Sequence, residues 1–291
     1  MKFEEKYNAE EDVVLISKAL SGHKNSLEAL IKKHQGYVYN IALNMASDPD
    51  LAADVTQEVL IKMLTSLSSF KNQSNFRTWL YRIAKNTFLN MRRGSYELEQ
   101  FSFQDFADGL EKTADVNLAD MSYSTDNDLL VEEAKLSCMK GMLLCFDRDQ
   151  RFIYIIGELF SFPDSIGSEI MEISKENFRV KLHRARTQLY SFMDSKCGLI
   201  NKNNPCRCAR KTAGFIENGY VDPKGLHFQR NRIDTIEKVV KEKLDNFENE
   251  LTNEYIQLFR DHPFLESPES LDSIKKLLSS AEIKKTFNLY E

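Results

Sequence analysis

Apolar residues in this chain recur at steps of three and four through most of its length, and β-branched runs long enough for a strand are nearly absent. That period marks amphipathic helices. With 11 glycines and 6 prolines in 291 residues, little in the chain would interrupt them. An all-α protein is therefore expected, and the length implies two or three domains. A hydrophobic fraction of 42% supplies real cores. The apolar runs are short and broken by charge, well below the roughly 20 residues that a membrane span needs. The opening "MKFEEKYNAEEDVV" lacks the basic-then-apolar layout of a signal peptide, so a cytoplasmic protein without membrane contact is expected.

Composition shifts divide the chain. Residues 8–94 form a first helical block, in which Asp48 is placed to cap a helix and Pro49 to fill its first position, with Gly94 as a stop. Residues 95–129 hold Glu97, Glu99, Asp105, Asp108, Glu111, Asp115, Asp120, Asp126 and Asp128 against Lys112. Such a block repels itself and reads as an extended acidic linker, or as a solvated loop with no role. A second helical block covers 130–195. A cysteine-bearing segment follows over 196–230, and a helical carboxyl-terminal extension over 231–291.

The formal charge is -5, yet "ENFRVKLHRAR" carries Arg179, Lys181, Arg184 and Arg186 against Glu176. Phe178, Leu182, Ala185, Leu189 and Phe192 make one apolar stripe on that helix, with Ser174 as its cap. Lys175, Asn177, Arg179, Val180, His183 and Arg184 then face water or a partner. Upstream, Asp147 is placed to cap one helix and Asp164 a short second one. Two helices, a turn and a helix with a basic outer face have the layout of a helix-turn-helix. Arginine and lysine there neutralise phosphates, and arginine also pairs with the edge of guanine. A charged outer face is equally what solvent alone requires; the preceding helix pair favours the DNA reading.

A second basic helix, "NFRTWLYRIAKNTFLNMRR", contains no acid. Phe76, Trp79, Leu80, Ile83, Ala84 and Met91 are expected to face inward. Arg77, Tyr81, Lys85 and Arg92 are expected on the open side, flanked by Arg82, Asn86 and Leu89. Cations mixed with a ring suit unpaired bases and their backbone. Before it, "DVTQEVLIKML" sets Val55, Val59 and Met63 on one side and Asp54, Gln57, Glu58 and Ile61 on another, as either a wet face or a docking stripe.

The stretch "LIKKHQGYVYNIALNMASDPDLAADVTQEVLIKMLTSLSSFKNQSNFRTWLYRIAKNTFLNMRRG" closely resembles region 2 of bacterial sigma-70 family factors of the extracytoplasmic-function (ECF) type, and "ISKENFRVKLHRARTQL" resembles the end of their region 4. The two matches stand in family order across about residues 25–195. The resemblance implies two small helical domains, a region 2 bundle and a region 4 helix-turn-helix, joined by the acidic linker. It implies a transcription initiation factor, not an enzyme, that partners core RNA polymerase (β′ clamp and β flap) and promoter DNA. Asp54, Gln57, Glu58 and Ile61 would meet the polymerase clamp. Phe70, Lys71, Asn72, Gln73, Ser74 and Asn75 would receive a flipped base of the minus-10 element, with Arg77, Arg82, Lys85 and Asn86 along the non-template strand. Lys175, Asn177, Arg179, Val180, His183 and Arg184 would face the minus-35 element, and Arg186 a phosphate.

Five cysteines without an export signal argue for reduced thiols. Cys197, Cys206 and Cys208 offer three ligands for zinc, with His227 the nearest later candidate for a fourth. Lys202, Arg207, Arg210 and Lys211 beside them would lower the thiol pKa. Ordinary reduced cysteines in a basic turn are the other reading. The extension 231–291 would bind a regulator such as an anti-sigma factor or regulate the chain itself. Two rival readings keep part of the pattern: a helix-turn-helix regulator that works without polymerase, and a polymerase-binding helical adaptor without sigma activity. No phosphate loop, nucleophile arrangement or carboxylate pair suggests catalysis.

Overall fold

The computed structural model describes residues 8–91, 102–116, 118, 123, 126–226, 278, 279, 283 and 287. Among these, the regular elements are helices: α1 (Ala9–Leu20), α2 (Lys24–Ala46), α3 (Pro49–Thr65), α4 (Phe76–Asn90), α5 (Phe103–Lys112), α6 (Asn127–Leu144), α7 (Arg148–Tyr154), α8 (Asp164–Met171), α9 (Lys175–Lys196) and α10 (Cys208–Glu217). A 3-10 turn, Leu67–Ser69, and a π-helical turn, Ile155–Leu159, complete the set. The chain forms two compact units, Met1–Gly94 with Ile155–Arg179 and Phe264–Glu291, and Ser95–Tyr154 with Val180–Pro263. The expected block 130–195 is thus divided: its stretch 155–179 belongs with the first helical block.

In the first unit α2 and α3 form a helical hairpin. Ser47 ends α2 in the left-handed region at φ 54°, and the Asp48 carboxylate accepts from the N–H groups of Asp50 and Leu51 at 3.0 Å each. Leu30, Ile31, Val38 and Ile41 of α2, Val59 and Met63 of α3, and Leu80, Ala84 and Phe88 of α4 are fully buried. Each large side chain so buried contributes about 1.5–3 kcal/mol. Near the carboxyl terminus Leu278, Ile283 and Phe287 are buried too.

A polar pin holds α1 on α2. Buried Asp12 takes the His34 ring nitrogen at 3.0 Å and Lys33 Nζ at 2.8 Å. Burial lowers the His34 pKa, against the opposing pull of Asp12. The unfolded chain binds a proton near the ordinary value of 6.5, while the folded chain resists it to lower pH. Stability is therefore full above that value and is lost as pH falls below it, by about 1.4 kcal/mol per pH unit. Thermal melts between about pH 7.5 and about pH 5.5 should show a falling Tm that flattens in His34→Gln.

In the second unit the described part of 95–129 departs from the reading as an extended linker. Residues 103–112 form α5, opened by a reciprocal cap in which the Ser102 hydroxyl accepts from Asp105 N–H and the Asp105 carboxylate accepts from Ser102 N–H. The Ser102 hydroxyl, at 2.6 Å, and the Ser102 N–H, at 2.9 Å, both donate to the Asp105 carboxylate and hold it below its usual range. Phe103 packs against Phe146 and Phe192, with centroids 5.3 and 5.1 Å away, and Phe106 lies 5.8 Å from Phe192. Three and four residues apart, Phe103, Phe106 and Ala107 make an apolar face that outweighs the repulsion of exposed Asp105 and Glu111. Further along, Leu118 joins Leu130 and Ala134 of α6 and Ala213 and Phe215 of α10 in a core closed by Val221.

Candidate nucleic-acid interface

On α3 the wheel holds as expected. Val55, Val59 and Met63 are buried, Asp54, Gln57 and Glu58 are exposed, and Ile61 is half-buried beside them. Lys62 Nζ reaches Glu58 at 2.6 Å, a single i,i+4 pair on a face that is otherwise acid and amide. The loop after α3 follows from its own chemistry. Phe70, Phe76 and Trp79 stack with centroids 5.4–5.5 Å apart, which anchors the loop's base. Asn72 takes φ 53°, and Lys71, Asn72 and Gln73 stand in solvent. Asn75 accepts from Arg77 N–H at 2.9 Å and so caps α4; half-buried Ser74 and Phe70 flank the exposed tip. Trp79 is half-buried, as a base of the aromatic cluster rather than an open platform.

On α4 the structure departs from the expectation. Arg77, Tyr81 and Lys85, expected on the open side, are 5%, 0% and 6% exposed. The reason is tertiary: residues 160–172 of the same unit pack there. The Tyr81 ring meets Phe162 at 5.2 Å, Arg77 lies 4.4 Å above the Tyr37 ring, and Tyr37 meets Phe160 at 6.2 Å. Burial pushes the Tyr81 hydroxyl well above its usual range. Lys85 Nζ donates to Glu172 Oε2 at 2.6 Å; Arg82 Nη2 donates to Glu169 Oε1 at 2.9 Å and Arg82 Nε to the Glu169 carbonyl at 3.1 Å. Hydrogen bonding to Lys85 holds the Glu172 carboxyl below its usual range. Asn86 remains exposed. Arg92 lies outside the described residues. Glu169 and Glu172 were absent from the site expected on sequence; only their approach to α4 marks them.

The expected order of a short helix, a turn and a longer helix is seen in α8, residues 172–174 and α9. Pro163, not Asp164, precedes α8; the Asp164 carboxylate instead pairs with the Arg179 guanidinium. Gly167 lets the two helices approach, since a Cβ there would lie 2.6 and 2.8 Å from Phe178 ring carbons. The Ser174 hydroxyl accepts from Asn177 N–H at 3.1 Å, as the cap reading expects. Phe178, Leu182, Ala185, Leu189 and Phe192 are buried. Lys175, Asn177, Arg179, Val180, His183, Arg184 and Arg186 are all exposed. Exposed Val180 gives this cationic face one apolar side chain of the kind that meets a thymine methyl.

The cysteines correct a second expectation. Basic neighbours were expected to lower their pKa, but burial dominates: the Cys197 and Cys206 thiols are raised, and Cys208 is pushed up to about 12. The Arg207 guanidinium is instead spent on the carbonyls of Cys206 and Lys202, at 2.9 Å each. Among the described residues no three His, Cys, Asp or Glu side chains are grouped to hold a metal ion, and His227 lies outside them. Also among the described residues, no helix is long and apolar enough to cross a membrane.

A family model for Sigma-70 region 2 matches residues 30–96, the stretch that holds α3, the loop and α4. Over 167 residues the chain is 28% identical to RNA polymerase sigma factor YlaC of Bacillus subtilis (strain 168), which covers 57% of this chain and 91% of that protein. It is 26% identical over 181 residues to the ECF RNA polymerase sigma-E factor of Escherichia coli (strain K12), covering 60% of this chain and 90% of that one. A shorter match, 37% over 81 residues, reaches 42% of the RNA polymerase sigma-H factor of Pseudomonas aeruginosa. With a Sigma-70 region 2 match that holds α3, the loop and α4, and relatives named as sigma factors that align nearly end to end, the chain carries a Sigma-70 region 2 and is similar to transcription initiation factors of the ECF type.

Proposed function

We propose that this chain binds core RNA polymerase through Asp54, Gln57, Glu58 and Ile61 and directs it to promoters, with α9 on the minus-35 duplex and the Phe70–Asn75 loop and α4 on the minus-10 strand. The observation that carries this reading is the exposed acid-and-amide stripe of α3, set beside the fully packed Val55, Val59 and Met63. A rigid helix presenting such a stripe suits a basic partner helix such as the β′ clamp. The loop has an anchored aromatic base and an exposed polar tip, which is what capture of a flipped base needs. Unstacking costs a few kcal/mol, and contacts in the loop must offset it. The reaction makes no covalent bond in this reading, so no catalytic residue is called for. The β flap, and a regulator that is either a separate anti-sigma protein or residues 231–291, complete the partners.

Two variants test the assignment. Asp54→Lys reverses a charge at the docking stripe and should remove co-purification with core polymerase, a loss of about 2–5 kcal/mol. Arg179→Ala should spare co-purification and lower run-off transcription from a cognate promoter roughly tenfold, the scale of one base contact. Unchanged pull-down by Asp54→Lys would sink the clamp assignment. Retained pull-down with no new start site from wild-type holoenzyme would instead identify an adaptor.

A further inference from the structure

We infer that α8 is a built-in acidic cover for the minus-10 face: Glu169 and Glu172 occupy Arg82 and Lys85 in the free protein, and the phosphates of a promoter strand must displace them. The inference rests on the assignment of Arg82 and Lys85 to the non-template strand. Both helices lie in the first compact unit. The carboxylates stand 2.9 and 2.6 Å from the two cations, where charge-assisted bonds to phosphate oxygens would otherwise form. The Glu169 carbonyl, near the carboxyl end of α8, accepts from Arg82 Nε as well, and the helix dipole makes that end negative. Glu172 ends α8 in the left-handed region at φ 58°. That backbone is uncommon for a residue other than glycine, and it places the carboxylate against Lys85 rather than extending the helix.

The pairs suit a reversible cover. Glu172 is 64% exposed and Glu169 39%, so water and salt compete for both, and ion pairs of this kind are weak. A promoter strand held nearby by polymerase has a high local concentration and can displace them, whereas free nucleic acid in solution cannot do so as readily. Lys71, Gln73 and Asn86 stay exposed outside the cover, leaving a foothold from which displacement can begin.

The full chain without polymerase is titrated with a short mixed-sequence single-stranded deoxyoligonucleotide and followed by fluorescence anisotropy. Glu169→Gln/Glu172→Gln should bind roughly tenfold more tightly than wild type at about 0.1 M salt, and its slope of log K against log salt should steepen by about 1.4, the value for two added phosphate contacts. Equal affinity and equal slope would overturn the cover. Hydrogen exchange on the wild-type chain gives a readout free of mutation: amides of residues 164–171 should exchange faster once the oligonucleotide is bound, and unchanged protection would also overturn it. Arg82→Ala/Lys85→Ala in reconstituted holoenzyme separates the two levels of the argument. If these changes leave open-complex formation intact, the minus-10 assignment itself fails. If they impair it while the glutamine variant binds like wild type, only the cover fails.

Discussion

Arg151→Met should lower stability by about 3–5 kcal/mol and shift the urea midpoint of the helical circular-dichroism signal downward accordingly. Among the described residues Arg151 is one of the largest fully buried side chains, at 2% exposure. Its guanidinium donates to the carbonyls of Leu143 at 3.0 Å, Leu144 at 3.2 Å and Phe146 at 3.0 Å. Those groups lie at and just beyond the end of α6, where helical carbonyls have no partner within the helix. Methionine is similar in length and donates nothing, so the Leu144 and Phe146 carbonyls would lose their Arg151 donor, while the Leu143 carbonyl would keep the Phe146 N–H at 3.2 Å. Arg151→Lys, which keeps the charge but not the planar fork, should fall between the two. A midpoint for Arg151→Met within error of wild type would show that water satisfies these carbonyls.

Gly198→Ala should be nearly as costly, about 3 kcal/mol, because a Cβ at this position would land on the Cys206 carbonyl oxygen and the Arg207 guanidinium. The segment from Gly198 to Arg207 doubles back over the end of α9. Asn204 Nδ2 donates to the Asp194 carbonyl at 2.7 Å and the Cys197 carbonyl at 3.2 Å, and Asn201 Nδ2 to the Asp194 carbonyl at 3.3 Å. A backbone oxygen cannot step aside as a flexible side chain can, so the loop must lift. Lifting it uncovers thiols that burial now holds protonated, with Cys208 at about 12. Reaction with a chromogenic disulfide at neutral pH should therefore be slow in wild type and at least about tenfold faster in the variant, since only the thiolate attacks. Equal rates in the two proteins would refute this account of the loop.

These two sites show what a linear reading misses. The asparagines and glycine of "GLINKNNPCRC" signal only that a helix stops; nothing local says that Asn201 and Asn204 return to cap α9 or that Gly198 must admit a carbonyl. Arg151 reads as one more cation on an amphipathic helix, yet it is enclosed and holds the end of α6. The acids of residues 95–129 misled in the opposite direction. Charge counting favoured an extended strap, while Phe103, Phe106 and Ala107, spaced for one helical face, supplied the burial that forms α5.

Local rules were sufficient wherever one helix faced one core. The period of three and four, the caps at Asp48 and Ser174, the buried stripe of α9 and its seven exposed candidate contacts were all legible, because helix geometry alone fixes the angle at which a side chain leaves the axis. An angle does not name a neighbour. Arg77, Tyr81 and Lys85 leave α4 in the direction the wheel gives them, but residues 160–172, distant in sequence, fold onto that side and turn an expected open face into a buried, acid-paired one. Whether a cation is free to meet a phosphate depends on what else packs against it, and long-range packing is a property of the assembled fold.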